Sequence, residues 1–241
     1  MSRNLYVSDT HFGHKNILRY DNRPFFDTDE MERTMIRIWN ERVEDGDHVY
    51  VLGDFCWSGK VEEWKRIIDQ LTGYIHLIRG NHDFPKEHFK GKDILLDEDL
   101  WESRFVEVTD YLEVDDILAG HKVRVAMCHY PMPFYRNSFN EDMYMLYGHV
   151  HNTHEEDALE ELKVKLKRDI KNLKKLGYED RVAFYNKAQF YNVGCMMPYM
   201  GYPDLELSIY KHLKSYLIQY ALLFLYIFLQ LHQSHHISKR L

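Results

Sequence analysis

Cysteine is scarce in this chain of 241 residues: Cys56, Cys128 and Cys195 are odd in number and far apart. That excludes a disulfide framework and a paired-cysteine zinc knuckle. Positive charge is short as well, with 31 Lys and Arg against 38 Asp and Glu, a net charge of −7. Bulk electrostatic binding to nucleic acid or to an anionic membrane is therefore disfavoured, while a small nucleotide still fits a locally positive site. No signal-peptide pattern opens the sequence; Met1-Ser2-Arg3-Asn4 runs straight into a strand pattern. Together with the cysteine usage this gives a reducing cytoplasm as the expected location. No apolar run reaches the ~20 residues of a membrane-spanning helix. The longest, Tyr216–Leu231, has sixteen residues, is broken by Gln219 and Gln230, and is flanked by Lys211, Lys214, Lys239 and Arg240. Three readings of the tail 203–241 stay open: a helix packed on the domain or a partner, a membrane-associating segment, or a stretch under no folding constraint, such as a shifted reading frame.

What is present supports a folded unit. Apolar residues make up 45% of the chain, enough for a sizeable core in one large domain or two small ones. Histidine is the unusual count, at fifteen, with several beside Asp or Gly. The first half alternates strand and helix patterns: Leu5–Val7, a helix opened by an Asp27/Glu30 capping box, His48–Leu52, a helix capped by Ser58 and closed by Gly73, and Tyr74–Ile78. Met31, Met35, Ile38 and Trp39 supply the inner face of the first helix; Val61, Trp64, Ile67, Ile68 and Leu71 supply that of the second. This alternation predicts neighbouring parallel strands with helices outside. Residues 84–104 read as polar loop. Phe105–Val108, Tyr111–Val114, Val123–Met127, Met143–Tyr147 and Phe190–Val193 read as strands, the first three placed in a second, mixed sheet. A charged helix over 154–176, opened by Thr153 and stopped by Gly177, carries Leu159, Leu162, Leu166, Ile170 and Leu173 on its apolar side. Its remaining charges read as a solvated face.

Polar residues follow these strands closely: Asp9, His11, Asp54, Asn81, His129, His149 and His151. In extended backbone Asp9 and His11 point the same way. Two carboxylates, an amide and four imidazoles suit borderline divalent ions such as manganese, iron or zinc rather than calcium. Seven ligands exceed the needs of one ion, and the two oxygens of Asp54 suit a bridge. Two ions about 3.5–4 Å apart are a device for in-line attack on phosphorus. Gly80-Asn81-His82-Asp83 sits at the centre of this set, its glycine allowing a sharp turn where a Cβ would crowd.

Asp9-X-His11, Gly53-Asp54, Gly80-Asn81-His82-Asp83, His129 and Gly148-His149-X-His151 together resemble the five-block signature of the calcineurin-like metallophosphoesterases, complete and in order. Asn192-Val193-Gly194 resembles the late strand of related bacterial and phage proteins. The resemblance implies an α/β fold, a four-layer α/β/β/α sandwich of two mixed sheets with a dinuclear metal site at the strand ends. It implies one metal held by Asp9, His11, Asp54 and His151, and a second by Asp54, Asn81, His129 and His149. His82 matches the general acid and Asp83 the carboxylate that orients it. The expected function is hydrolysis of phosphomonoesters or phosphodiesters, such as nucleotides, by a metal-bridging hydroxide, with two divalent ions, manganese foremost. The expected catalytic domain is 1–202. The rivals are a single-stranded nuclease, disfavoured by net charge and by the lack of a basic run before residue 154, and a binding scaffold on the same fold, which would have lost ligands. His14 reads as a substrate or supporting contact or a plain loop residue, and Arg79 as a phosphate contact or a surface ion pair. Cys56 and Cys128 read as small core side chains, with oxidation near the metal as the minor reading.

Overall fold

The computed structural model describes residues 2–83 and 105–200. The expected loop at 84–104 and the tail readings for 203–241 lie outside the described residues. A parallel sheet holds β1 (Asn4–Val7), β2 (His48–Val51), β3 (Tyr74–Ile78) and β4 (Phe105–Thr109), in that order. A mixed sheet holds β5 (Leu112–Leu118) antiparallel to β6 (His121–Met127), then β7 (Met143–Tyr147) and β8 (Phe190–Asn192) parallel to it. Connecting them are α1 (Ile17–Tyr20), α2 (Thr28–Arg42), α3 (Val61–Ile68), α4 (His154–Lys175) and α5 (Glu179–Ala183).

The side-chain alternation of the strands makes the four layers. In β6, Val123, Val125 and Met127 share a core with β1, β2, β3, α2 and α3. Ala126 turns the other way and joins Met145, Tyr147, Leu166 and Phe190 under α4. Helices thus cover the outer face of each sheet. The sheets meet edge to edge where β1 ends, as the Ser8 N–H donates to Val193 O at 2.8 Å and the Cys195 N–H to Ser8 O at 2.9 Å. Among the described residues no helix is long and apolar enough to cross a membrane.

Most local expectations hold. The α2 cap is the expected one: Asp27 Oδ1 accepts from the Glu30 N–H at 2.8 Å. Met31, Met35, Ile38 and Trp39 are its buried face. Four points differ. Phe105–Thr109 belongs to the first sheet, because it pairs in parallel with β3 rather than with the following strand, β5. Ser58 does not cap α3; its hydroxyl accepts from the Lys60 N–H and its carbonyl from the Trp64 indole, so the helix begins later, at Val61. Gly73 does not close α3, which ends at Ile68; with φ +89° it makes the turn into β3.

The fourth difference is in α4. Its inward stripe runs Glu156, Leu159, Lys163, Leu166, Ile170, Leu173, and two of the charged residues read as solvated are buried. Glu156 accepts from Tyr147 Oη and from Asn192 Nδ2. The Lys163 ammonium lies 5.0 and 4.7 Å from the ring centres of Phe190 and Tyr191 and pairs with Glu160. Burial raises the Glu156 pKa above its ordinary value, against the Asn192 bond and the charge of Lys163. A raised folded pKa gives a contribution that is complete below the ordinary glutamate value and is lost as pH rises through the folded one. Glu156→Gln, which resembles the protonated acid, should therefore gain stability relative to the parent chain as pH rises from about 4.3 towards neutrality. Urea midpoints of both proteins across that range test this; a difference that stays constant with pH would contradict it.

Candidate metal centre

β1, β2, β3, β6 and β7 each end in a loop that carries candidate ligands. Parallel strands bring their carboxyl ends to one side, so Asp9 and His11, Asp54, Asn81, His129, and His149 and His151 converge. The local backbone is not the extended one expected for Asp9 and His11. Asp9 (φ 57°), His11 (51°), Asp54 (53°), His149 (71°) and His151 (51°) are all left-handed. For a residue with a Cβ this conformation costs about 1–2 kcal/mol. The loops hold one another in it. The Asp9 N–H donates to Gly53 O, the His11 N–H to Asp54 O, and the His149 N–H to the Asp9 carboxylate. The glycines let these loops touch. A Cβ on Gly80 would run into the side chain and amide of Asp54, and one on Gly148 into Ser8 Oγ and the Asp9 carboxylate.

Asp54 stands in the middle. Its Oδ2 lies 3.6 Å from His11 Nε2 and its Oδ1 3.8 Å from His129 Nε2. On one side Asp9, His11 and His151 present donor atoms that all lie within 4.8 Å of one another. On the other, Asp9, Asp54 and His129 do the same, and Asn81 Oδ1 is 2.9 Å from both His129 Nε2 and His149 Nδ1. Donors about 2.1 Å from one ion at right angles stand about 3 Å apart. His11 Nε2 is buried and has no hydrogen-bond partner, as suits a nitrogen that binds an ion. Asp9, Asp54 and Asp83 are 0%, 2% and 1% exposed, a concentration of buried carboxyl groups that calls for positive charge. Burial, then Asp9 and Asp83, push Asp54 up to about 8. Burial also keeps His11, His129 and His149 below the ordinary histidine value, hence neutral and able to ligate. His151 moves upward: burial opposes its charge, but Asp21 and Asp9 outweigh it. The mixed oxygen and nitrogen donors fit divalent transition ions.

The model of the calcineurin-like phosphoesterase superfamily domain matches residues 3–166, all five blocks included. The chain belongs to this superfamily. An uncharacterised protein of Methanocaldococcus jannaschii, MJ1445, is 35% identical over 154 residues, 63% of this chain and 72% of its own. The Gene 66 protein of Mycobacterium phage L5 is 34% identical over 88 residues, 35% of this chain and 42% of its own. A solved structure of a protein of unknown function from Aquifex aeolicus, AQ665, aligns at 26% identity and a TM-score of 0.43, over 64% of this chain and 81% of its own.

Around this candidate centre the other expected residues take varied places. His82 sits at the rim, 32% exposed in its side chain, with Nε2 3.9 Å from Asp54 Oδ2. Its N–H donates to Asp54 Oδ1 at 2.8 Å. His14 is buried and stacks on Trp57, centroids 3.7 Å apart and planes within 4°. Trp57 also lies 4.5 Å from His82, so the indole contacts both imidazoles. Arg79 pairs with Asp110 at 3.4 Å. Cys56 is buried in the core and Cys128 is half-buried.

Asp83 departs from its expected task. Its carboxylate accepts from the N–H groups of Asp54 (2.8 Å), Phe55 (3.0 Å) and Gly80 (2.9 Å) rather than from the His82 ring. It latches the loop after β2 to the loop after β3. Three residues went unnoticed in the sequence: Trp57, Asp21 and Arg23. The His151 Nδ1–H donates to Asp21 Oδ1 at 2.8 Å, and Arg23 pairs with Asp21. Nothing in their spacing marks them, since Asp21 and His151 are 130 residues apart. Asp83→Asn can keep its oxygen on the Asp54 and Gly80 N–H groups but then turns its NH2 towards the Phe55 N–H. We expect a loss of about 1–3 kcal/mol in urea unfolding, with equal slowing on substrates of good and poor leaving groups; unchanged stability would contradict the latch.

Proposed function

We propose that the chain is a two-ion phosphoesterase that hydrolyses small phosphomonoesters or phosphodiesters, nucleotides among them. The observation that carries this reading is Asp54, whose two oxygens face different imidazoles, His11 and His129. Asp9, His11, Asp54 and His151 would hold ion A, and Asp54, Asn81, His129 and His149 ion B, with manganese the proposed metal. When bound, such a pair acidifies water towards neutral pH and offsets the charge of phosphoryl oxygens.

The chain's own residues do the rest. Asp54 is fixed from both sides, its amide held by Asp83 and its Oδ1 by the His82 N–H. His149 presents its N–H to Asp9, so the ligand of one ion is tied to the loop of the other. His82 is adjacent to the ligand Asn81 and reaches solvent, the place from which a departing oxygen leaves. Its ring, flanked by Trp57 and by His11 at 5.8 Å, is assigned as proton donor to that oxygen. We further assign the catalytic unit to 1–202, treat 203–241 as a separate tail, and place the protein in the cytoplasm.

The test uses two substrates, an alkyl phosphoester and its nitrophenyl analogue. Both reactions should stop after exhaustive chelation and return with manganese. His82→Ala should slow the alkyl ester by about 10²–10⁴-fold and the nitrophenyl ester little, because nitrophenolate leaves without a proton. Full activity after chelation would overturn the two-ion reading. Equal losses on both substrates would remove His82 as the acid.

A further inference from the structure

Arg23 is buried, and its side chain spends its donors inside the protein. Nη1 donates to Thr10 O and Nη2 to Asp9 O, both at 2.8 Å. Nε and Nη2 donate to Asp21 Oδ2 at 3.1 and 3.0 Å. The guanidinium therefore does two things. It fixes the carbonyls of the left-handed Asp9-Thr10 segment, and it holds one oxygen of Asp21. The other oxygen, Oδ1, accepts from His151 Nδ1, and this turns His151 Nε2 towards Asp9 Oδ1, 3.8 Å away. The far nitrogen of His129 is held differently, by the neutral carbonyl of Leu52 at 2.7 Å.

We infer that Asp21, held by Arg23, is a positioning residue that fixes the tautomer and direction of His151 and so sets the affinity of ion A separately from ion B. This rests on the assignment of His151 to ion A given above. A carboxylate behind a ligating imidazole places the proton on Nδ1, leaves Nε2 as the lone-pair donor, and makes that donor more basic. A carbonyl, as behind His129, orients without adding charge. Because Arg23 also grips the Asp9 backbone, two ligands of the same ion are aligned by one buried pair. Among the described residues the ring contacts of His129 with Leu52 and Asn81, and of His149 with Asn81, involve neither Asp21 nor Arg23; the one link towards ion B is the His149 N–H on the Asp9 carboxylate.

The test counts ions, not turnover. Full-length protein freed of metal by chelation is titrated with manganese(II), and free ion is read by electron paramagnetic resonance. The parent chain should bind two ions. Asp21→Asn should weaken one of them about 10- to 100-fold and leave the other within about threefold. The full loss should persist in a His149→Ala background and vanish in a His151→Ala background, since Asp21 acts through His151. If Asp21→Asn does not fold, Asp21→Ser carries the same expectation. Equal weakening of both ions, or an Asp21 effect that survives in His151→Ala, would overturn the inference. A parent chain that binds no second ion would instead overturn the two-ion reading, and does so before any variant is made.

Discussion

Three carboxyl groups buried together where two sheets end form the constraint on which the rest depends. Asp9, Asp54 and Asp83 are shut off from water, and a buried carboxylate without compensation is costly. Each is met in its own way. Asp83 receives three backbone N–H groups, Asp54 the His82 N–H, and Asp9 the His149 N–H. That leaves the Asp54 carboxyl still raised to about 8 by burial and its acidic neighbours. Imidazoles with inward nitrogens complete the set, those of His11, His129 and His149 kept neutral by burial, a shell suited to cations. The loops of five strands must crowd to build it, hence the left-handed backbone at five ligand positions and the glycines that admit the contacts.

The sandwich serves this crowding. The parallel first sheet and the parallel part of the second aim their carboxyl ends at one place. Ser8 and Gly194 then pin the sheets together directly beneath Asp9. The links between blocks are polar and specific: Asp83 joins the second and third, His149 joins the fifth to the first, and Asn192 supports the His151 carbonyl from β8. Loosening one loop therefore disturbs candidate ligands on others, and in the proposed two-ion reading both positions share Asp54 as a common support.

Much of this was legible in the sequence because it is local. Short apolar runs ended by Gly-Asp, Gly-Asn-His-Asp and Gly-His-X-His mark both a strand and the candidate ligand that follows it. What escaped is non-local. Phe105–Thr109 has the pattern of any strand, and only its pairing with β3 assigns its sheet. Glu156 and Lys163 hide two positions of a buried helix stripe: Glu156 is satisfied by Tyr147 and Asn192 from two strands, and Lys163 by Glu160 on the same helix and by the rings of Phe190 and Tyr191. Asp83 sits beside His82 in sequence yet turns to the β2 loop, where the amides of Asp54 and Phe55 await it, with the Gly80 amide of its own loop beside them. Asp21 and Arg23 lie in a short turn after α1, and their partners are defined only by the folded loops. Spacing finds ligands on strand ends; it does not find the residues that hold them still.

The most direct test of this account is a crystal of the manganese-loaded full chain with anomalous scattering measured at the manganese edge. Two peaks about 3.5–4 Å apart are expected, with Asp54 between them, Asp9, His11 and His151 around one, and Asn81, His129 and His149 around the other. A single peak, or peaks away from Asp54, would contradict the central claim that this carboxylate is shared by two ions.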